Sequence, residues 1–563
     1  MAIKKILLLL VPGEKAYLRA PMLMPLSLGM LNAHLKSGGF HTRVLDLNIL
    51  LHQKSTQIPK ETWNALFDGK SILSYLEGGA GDTLENSILP VIDALLEDCD
   101  TAGFDMVGIS TGANLSFFEI HFAFVLGKRI KQRWNKHVIF GGGNIQYLFE
   151  FQKEFPALWA AVFKNFPYII AGPGEFSLAQ LLDQLNRGVE PASPNTIPGL
   201  LRFEDHRVMG KWQNKPFKGC PDFDQLDRAK YTVCLPKNKK EMAEKQVFKW
   251  PFPFPGAVSD KNRETLPAGE RVETLIIPYI FNFDCPYKCA FCARGSKNRP
   301  DAGPRTPPDI VEDIEILAEK YSSRFFYFFN NAFNSSREFA LEFCHEVARR
   351  KLEIYWSDCA RFENLDKELL EKMYRAGCRK LVFGLESASN KLLKAIGKPI
   401  HQEMAGEILK ACHEVGIWCD IDVITGLPYE DESDFRLTYS FIENNFPFIN
   451  SMRINKLYIL PSSGFGRNPG KYGIKLHRLK NSYHRLLEKS RKIYESIPGI
   501  RDIRFEMVSA GNCYLYSFSE PKGRSHEAVF TDTGKRYTLL KNLAEKEETP
   551  AELTLFPRTG EKK

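Results

Sequence analysis

Short apolar runs alternate with longer stretches of helical spacing along most of this chain, and no other feature constrains the fold as strongly. A strand, a helix and a second strand in succession build a parallel sheet, because the helix carries the chain back across one face. The rhythm comes in two blocks. In the first, residues 3–11 are a continuous apolar run, as expected for a strand buried on both faces. A helical pattern over 26–35 closes at Gly38-Gly39, 41–47 is a second strand, and 50–90 reads as a less regular insertion. Residues 104–110 are a third strand and 117–133 a helix. Then 137–140 runs into Gly141, Gly142 and Gly143, and 167–171 into Gly172, Pro173, Gly174 and Glu175 ahead of another helix. The expectation is an α/β, doubly wound (Rossmann-like) domain over 1–190.

Residues 191–270, rich in proline, lysine and aromatics, read as an extended linker. The second block follows. Strand patterns at 273–281, 324–330, 353–359, 379–386, 418–426 and 452–460 are separated by helical patterns at 307–321, 336–350, 366–376, 401–415 and 431–444. Six β/α units over 271–465 suit a partial (β/α)6 barrel with its functional loops at the carboxyl ends of the strands. The remaining 466–563 is expected to form a small α+β region that closes the barrel.

Composition excludes several classes. With 44% hydrophobic and 26% charged residues, the 563-residue chain has apolar mass for more than one core. No apolar run reaches the ~18–20 residues of a membrane helix. The N-terminal run stops at Pro12-Gly13 without a cleavage pattern, so it reads as a strand and not a signal peptide. A cytoplasmic protein with no membrane partner is expected. The net charge of +8 is dispersed among acids, with no basic stripe interleaved with aromatics, which argues against nucleic acid.

Nine of the twelve cysteines are scattered; Cys285, Cys289 and Cys292 fall within eight residues, directly after the first strand of the second block. A secreted disulfide scaffold would be short and cysteine-dense, so the cluster points to a metal site. Structural zinc takes four protein ligands. Three thiolates on one loop suit a four-iron, four-sulfur (4Fe–4S) cluster with one iron free of protein, open to the amino and carboxylate groups of a ligand. In the first block the strand ends carry Ser110, Thr111, Gly112, Gly141, Gly142, Gly143, Gly172, Gly174 and Glu175. Ligands bind beyond such ends, and small residues let a large planar or phosphate-bearing group approach the backbone. The glycines read equally well as turns.

The C-x3-C-x2-C spacing, Phe291 ahead of the third cysteine, and the position after a first barrel strand resemble the radical S-adenosylmethionine (SAM) family over 271–460. The resemblance implies that the three cysteines hold the cluster. It places Glu386 and Ser387, at the end of KLVFGLES, near the ribose or methionine part of SAM, Arg361 opposite its carboxylate, and Gly426-Leu427-Pro428 at the adenine side. Alone, Glu386 would read as half of a structural ion pair. Asn330 and Asn331 stand where many relatives have an acid for the SAM amino group, and offer it only neutral acceptors.

Residues 1–190 resemble the cobalamin-binding domain that precedes the barrel in many radical SAM enzymes, on the strand order and the small residues at three strand ends. One departure stands out: the loop VPGEKAYLRAPMLMP has no D-x-H-x-x-G histidine for cobalt, and His34, His41 and His52 read as packing or surface residues. The lower cobalt face would then lie near Tyr17 or Arg19. The resemblance implies a cobalamin-dependent C-methyltransferase working through a 5′-deoxyadenosyl radical and methylcobalamin. Its substrate would be a peptide, amino acid or natural-product intermediate, and a flavodoxin or ferredoxin would supply electrons. A radical SAM rearrangement or cyclisation enzyme is the alternative, and a non-catalytic iron–sulfur or cobalamin sensor a distant one. A methylthiotransferase would need three N-terminal cysteines, and residues 1–219 hold only Cys99; Cys513 reads as an inert thiol and not a methyl carrier.

Overall fold

The computed structural model describes residues 2–13, 21–54, 57–79, 82–112, 116–190, 196–210, 215–236, 254, 257, 269, 271–283, 285–293, 305–398, 400–478, 482–495 and 516–546. They divide into two units.

The first unit contains β1 (Lys5–Leu10), α1 (Leu26–Ser37), β2 (His41–Asp46), α2 (Leu47–Lys54), α3 (Gly69–Glu77), α4 (Asp82–Glu85), α5 (Ile88–Glu97), β3 (Met106–Thr111), α6 (Phe117–Trp134), β4 (His137–Gly142), α7 (Gly143–Glu150), α8 (Pro156–Asn165), β5 (Tyr168–Ile170), α9 (Glu175–Asn186), β6 (Leu200–Glu204) and β7 (Arg207–Met209). Among the described residues these strands form one sheet in the order β2-β1-β3-β4-β5-β6-β7, parallel through β5. Ile6, Leu7, Leu8 and Leu9 of β1 are all buried, as their continuous apolar run requires.

Two expectations change here. The 50–90 insertion is helical: α3, α5 and the 3-10 turn Lys60–Phe67 pack on α6, so that Phe118 is fully buried against Trp63 and Phe67, while Phe124 of the same helix packs on Phe140 of β4. The stretch read as a linker begins with a hairpin, β6 and β7, that extends the sheet antiparallel to β5. Its turn residues Asp205 and His206 take φ of 48° and 59°, the left-handed pair a two-residue hairpin needs, without the glycine that normally signals one. The helix Ser482–Glu495 also belongs to this unit. Its Tyr483 hydroxyl meets His121 Nε2 at 2.8 Å, and burial holds that imidazole down near a pKa of 4.

The second unit opens with an antiparallel pair, β8 (Val233–Pro236) and β9 (Arg271–Thr274). There follow β10 (Ile276–Tyr279), α10 (Pro307–Tyr321), β11 (Phe325–Phe328), α11 (Arg337–Arg349), β12 (Tyr355–Ala360), α12 (Lys367–Arg375), β13 (Cys378–Glu386), α13 (Asn390–Ala395), α14 (Gln402–Val415), β14 (Trp418–Thr425), α15 (Glu432–Asn445), β15 (Ser451–Lys456) and α16 (Gly464–Arg467). The strands β10 to β15 lie side by side in chain order, all parallel, and the sheet does not close on itself among the described residues: it is a partial barrel. Thr306, Ser336, Asp366 and Asp431 cap α10, α11, α12 and α15 with their side chains, each stabilising its helix by about 0.5–2 kcal/mol. The antiparallel pair β16 (Lys475–Arg478) and β17 (Tyr516–Ser519) and the C-terminal helix His526–Lys546 complete the unit. No described helix is long and apolar enough to cross a membrane.

Candidate functional site

The cysteine loop leaves β10, and the neighbouring strand ends fix its backbone at both ends. Asn330, just past β11, accepts the backbone N–H groups of Phe281 (3.1 Å) and Asn282 (2.8 Å) through its side-chain oxygen, and donates to Asp358 at 2.6 Å. Asn331 donates to the Phe283 carbonyl at 2.7 Å. Further along, Ala290 donates to the Ile396 carbonyl (2.8 Å) beyond β13 and accepts from Phe465 N–H (2.9 Å) beyond β15. Within the loop, Cys292 N–H closes a turn onto the Cys289 carbonyl at 3.0 Å. The asparagines expected at the SAM amino group thus seat the loop, and Asn330 has both ends of its amide engaged. Phe291 lies inside the same turn. Among the described residues, no three His, Cys, Asp or Glu side chains converge at metal-ligand spacing. The donor set itself fits an iron–sulfur cluster, with three thiols on one pinned loop and, among the described residues, no fourth protein ligand beside them.

Two cations stand by Cys289. Burial pushes its thiol up, and Lys398 and Arg361 act against that. Arg361 packs its guanidinium over the Tyr287 ring at 3.5 Å and pairs with Glu363 at 2.6 Å. Its Nε is buried with no hydrogen-bond partner among the described residues, so one N–H donor is left over for a ligand acceptor such as a carboxylate.

Glu386 ends β13 in the left-handed region (φ 62°), where the register with β14 slips between Gly384 and Glu386. This turn directs its carboxylate to Lys398 at 2.9 Å, with both side chains buried. Burial raises the Glu386 carboxyl while Lys398 opposes the rise. Gly384 makes the pair possible: a Cβ there would lie 2.5 Å from Glu386 Oε1 and 2.6 Å from Lys398 Nζ. Ser387 is buried against Thr438 of α15, 3.1 Å away. Sequence reasoning missed Lys398, which follows Glu386 by twelve residues in an unmarked loop.

The Gly426-Leu427-Pro428 turn follows β14. Gly426 has φ 84°, and its N–H donates to Glu430 at 2.8 Å. A Cβ there would strike the Thr533 side chain of the C-terminal helix. Arg536 of that helix binds Glu430 at 3.0 Å, and Arg524 donates to the Leu427 carbonyl at 3.4 Å. A closing role was expected of the C-terminal region, but nothing in the sequence singled out Arg524, Thr533 or Arg536 as the residues over this turn.

In the first unit the expected small residues come together. Ser110, Gly141, Gly142, Gly143, Gly172, Gly174 and Glu175 line a cleft of about 210 Å³ at the carboxyl edge of the sheet, with Leu8, Leu28 and Ile139 as its apolar wall. Gly142 has φ 99°, and a Cβ there would run into the Thr111 backbone; Thr111 donates to the Gly141 carbonyl at 3.1 Å. A Cβ on Gly174 would meet nothing within 4 Å, so this part of the cradle is open to a ligand. Glu175 Oε2 is buried there without a hydrogen-bond partner among the described residues. His34 packs on Phe176 and Phe217 at 4.4 and 5.2 Å, a packing role as expected. Tyr17, Arg19 and Cys513 lie outside the described residues.

Comparison with known proteins agrees with this geometry. Residues 279–442 match the Radical SAM superfamily. An uncharacterized methyltransferase of Pyrococcus horikoshii is 22% identical over 380 residues, 66% of this chain and 72% of that protein. The anaerobic magnesium-protoporphyrin IX monomethyl ester cyclase of Rubrivivax gelatinosus is 24% identical over 292 residues, 50% of this chain and 46% of the cyclase. The structure of the radical SAM methyltransferase TsrM from Kitasatospora setae, with cobalamin and a 4Fe–4S cluster bound, superposes at TM-score 0.60 with 16% identity, over 98% of this chain and 93% of TsrM. The cobalamin-dependent SAM radical enzyme OxsB superposes at TM-score 0.51 with 14% identity, over 97% of this chain and 61% of OxsB. Residues 279–442, which carry the cysteine loop and the β11 to β14 strand ends, are therefore a radical SAM domain, set in a chain with the fold of TsrM and OxsB.

Proposed function

We propose that this protein is a cobalamin-dependent radical SAM C-methyltransferase acting on an unactivated carbon of a peptide, amino acid or natural-product intermediate. The observation that carries the reading is the pairing, in one chain, of a pinned three-thiol loop on a parallel partial barrel with a glycine-lined cleft on a doubly wound sheet. When bound, the cluster would supply an electron to SAM and the corrinoid a methyl group. The chain's own part is to hold and to exclude. Cys285, Cys289 and Cys292 would ligate the cluster. Arg361, with its orphaned Nε, and Lys398 offset negative charge near Cys289. The Glu386–Lys398 pair and the Gly426-Leu427 turn shape the strand ends where SAM would lie. The glycine cradle, with Glu175 at its rim, would take the corrinoid.

The test is anaerobic turnover of the reconstituted protein with SAM bearing a trideuterated methyl group, against candidate peptides and amino acids. A product heavier by one deuterated methyl, formed with 5′-deoxyadenosine and only when corrinoid is present, is expected. Full activity without corrinoid would overturn the reading. The match to the cyclase favours one second reading, ring closure without methyl transfer, in which 5′-deoxyadenosine forms and the product gains no label.

A further inference from the structure

The first-unit cleft contains a polar group that a glycine cradle does not need. Glu175 opens α9 at the carboxyl edge of the sheet, and a helix N-terminus facing such a cleft favours an anion. A carboxylate there repels a phosphate, and among the described residues no cation of the cleft lining offsets it. One carboxyl oxygen is held by backbone, from Phe217 and from Glu175 itself. The other, Oε2, is buried with no partner among the described residues. An ionised oxygen left that way among apolar walls is strongly disfavoured.

We propose that Glu175 works as a neutral carboxylic acid whose Oε2–H donates to the carbonyl of a primary carboxamide of the ligand, the other oxygen staying on the backbone N–H groups. The inference rests on reading the cleft as the corrinoid site, since a corrinoid ring is edged with carboxamides. It adds a selectivity: the cleft takes an uncharged amide-bearing edge and rejects a dinucleotide phosphate.

Burial brings the Glu175 carboxyl up to about 7, with the two backbone N–H groups acting against it. From the packed elements, α1 contributes His34, itself lowered by burial, and Lys215 and Lys218 flank Phe217. The neutral form binds, so affinity is full below pH 7 and falls as pH rises through it.

The experiment is titration of the full chain with methylcobalamin, followed by calorimetry and absorbance from pH 6 to pH 8.5. Binding about tenfold weaker at pH 8 than at pH 6 is expected for the wild type. Glu175→Gln, an amide with no ionisation, should show a flat profile at the wild-type pH 6 affinity. A flat wild-type profile with intact binding overturns the inference and leaves the corrinoid site standing; this arm needs no variant. Loss of binding in a folded Glu175→Gln protein at pH 6 overturns it too. Absence of methylcobalamin binding at every pH sinks both readings, and tighter binding of NAD+ than of methylcobalamin reverses the selectivity.

Discussion

The same architectural device, the carboxyl edge of a parallel sheet, is used in opposite ways by the two units. In the first, the cleft at the edge is lined by glycine and serine, with Gln146, the Glu175 carboxyl and apolar walls. In the second, the ends of β12, β13 and β14 carry charge: Arg361 with Glu363, Glu386 with Lys398, and Glu430 with Arg536. Backbone cradles recognise a ligand by shape, so they are sensitive to added volume. Charged edges recognise it by electrostatics, so they are sensitive to an unbalanced charge. Which kind of substitution damages which unit is therefore the way to test the contrast.

The largest effect is expected at Cys289. Cys289→Ala removes a thiolate the cluster needs, so SAM cleavage should fall below detection, together with the visible iron–sulfur absorbance. The circular dichroism spectrum should persist, because the loop is held by backbone bonds at Ala290 and by Asn330, not by the thiol. Retained cleavage of SAM would break the assignment.

Next comes Lys398→Met. It leaves Glu386 buried beside Cys289 without its ion-pair partner, and removing one member of such a pair costs about 3–5 kcal/mol. A thermal scan should register this as a large fall in Tm. Adding Glu386→Gln should recover much of the loss, because the uncompensated charge and not the missing methylene packing is at fault. No recovery in the double variant would mean the edge is held by packing, and the contrast with the first unit would narrow.

Where each unit was legible in sequence follows from what kind of signal its elements leave. The helices α10, α11, α12, α14 and α15 fall within a residue or so of their expected bounds because four of them start at a side-chain cap ahead of a periodic stripe. The cysteine loop was legible because its chemistry needs three thiols close together. The β6–β7 hairpin was not, since its turn uses Asp205-His206 where glycine would have announced it. Lys398, Glu430, Arg524 and Arg536 were invisible for another reason. Their partners at the sheet edge lie twelve or more residues away, and a charged side chain reads the same in sequence whether it is solvated or buried in a pair. Asn330 was placed at the right strand end, but only the structure brings its amide to the Phe281 and Asn282 backbone.

The smallest and sharpest comparison lies within the glycine triplet. At Gly142 an alanine would face both φ 99° and the Thr111 backbone, so Gly142→Ala should destabilise by at least ~1–2 kcal/mol, with no information about the ligand. At Gly141 the added Cβ meets only the Ile170 carbonyl at 3.6 Å, an ordinary contact. Gly141→Ala should therefore leave Tm within about 1 °C of wild type. It would still thicken the cleft wall by one methyl group, and overpacking of that size costs ~1–3 kcal/mol in a fitted site. Methylcobalamin affinity should fall about tenfold, as calorimetry would read it. An unchanged affinity would show that the ligand is not seated against this edge, and that the cradle serves the fold and not the corrinoid.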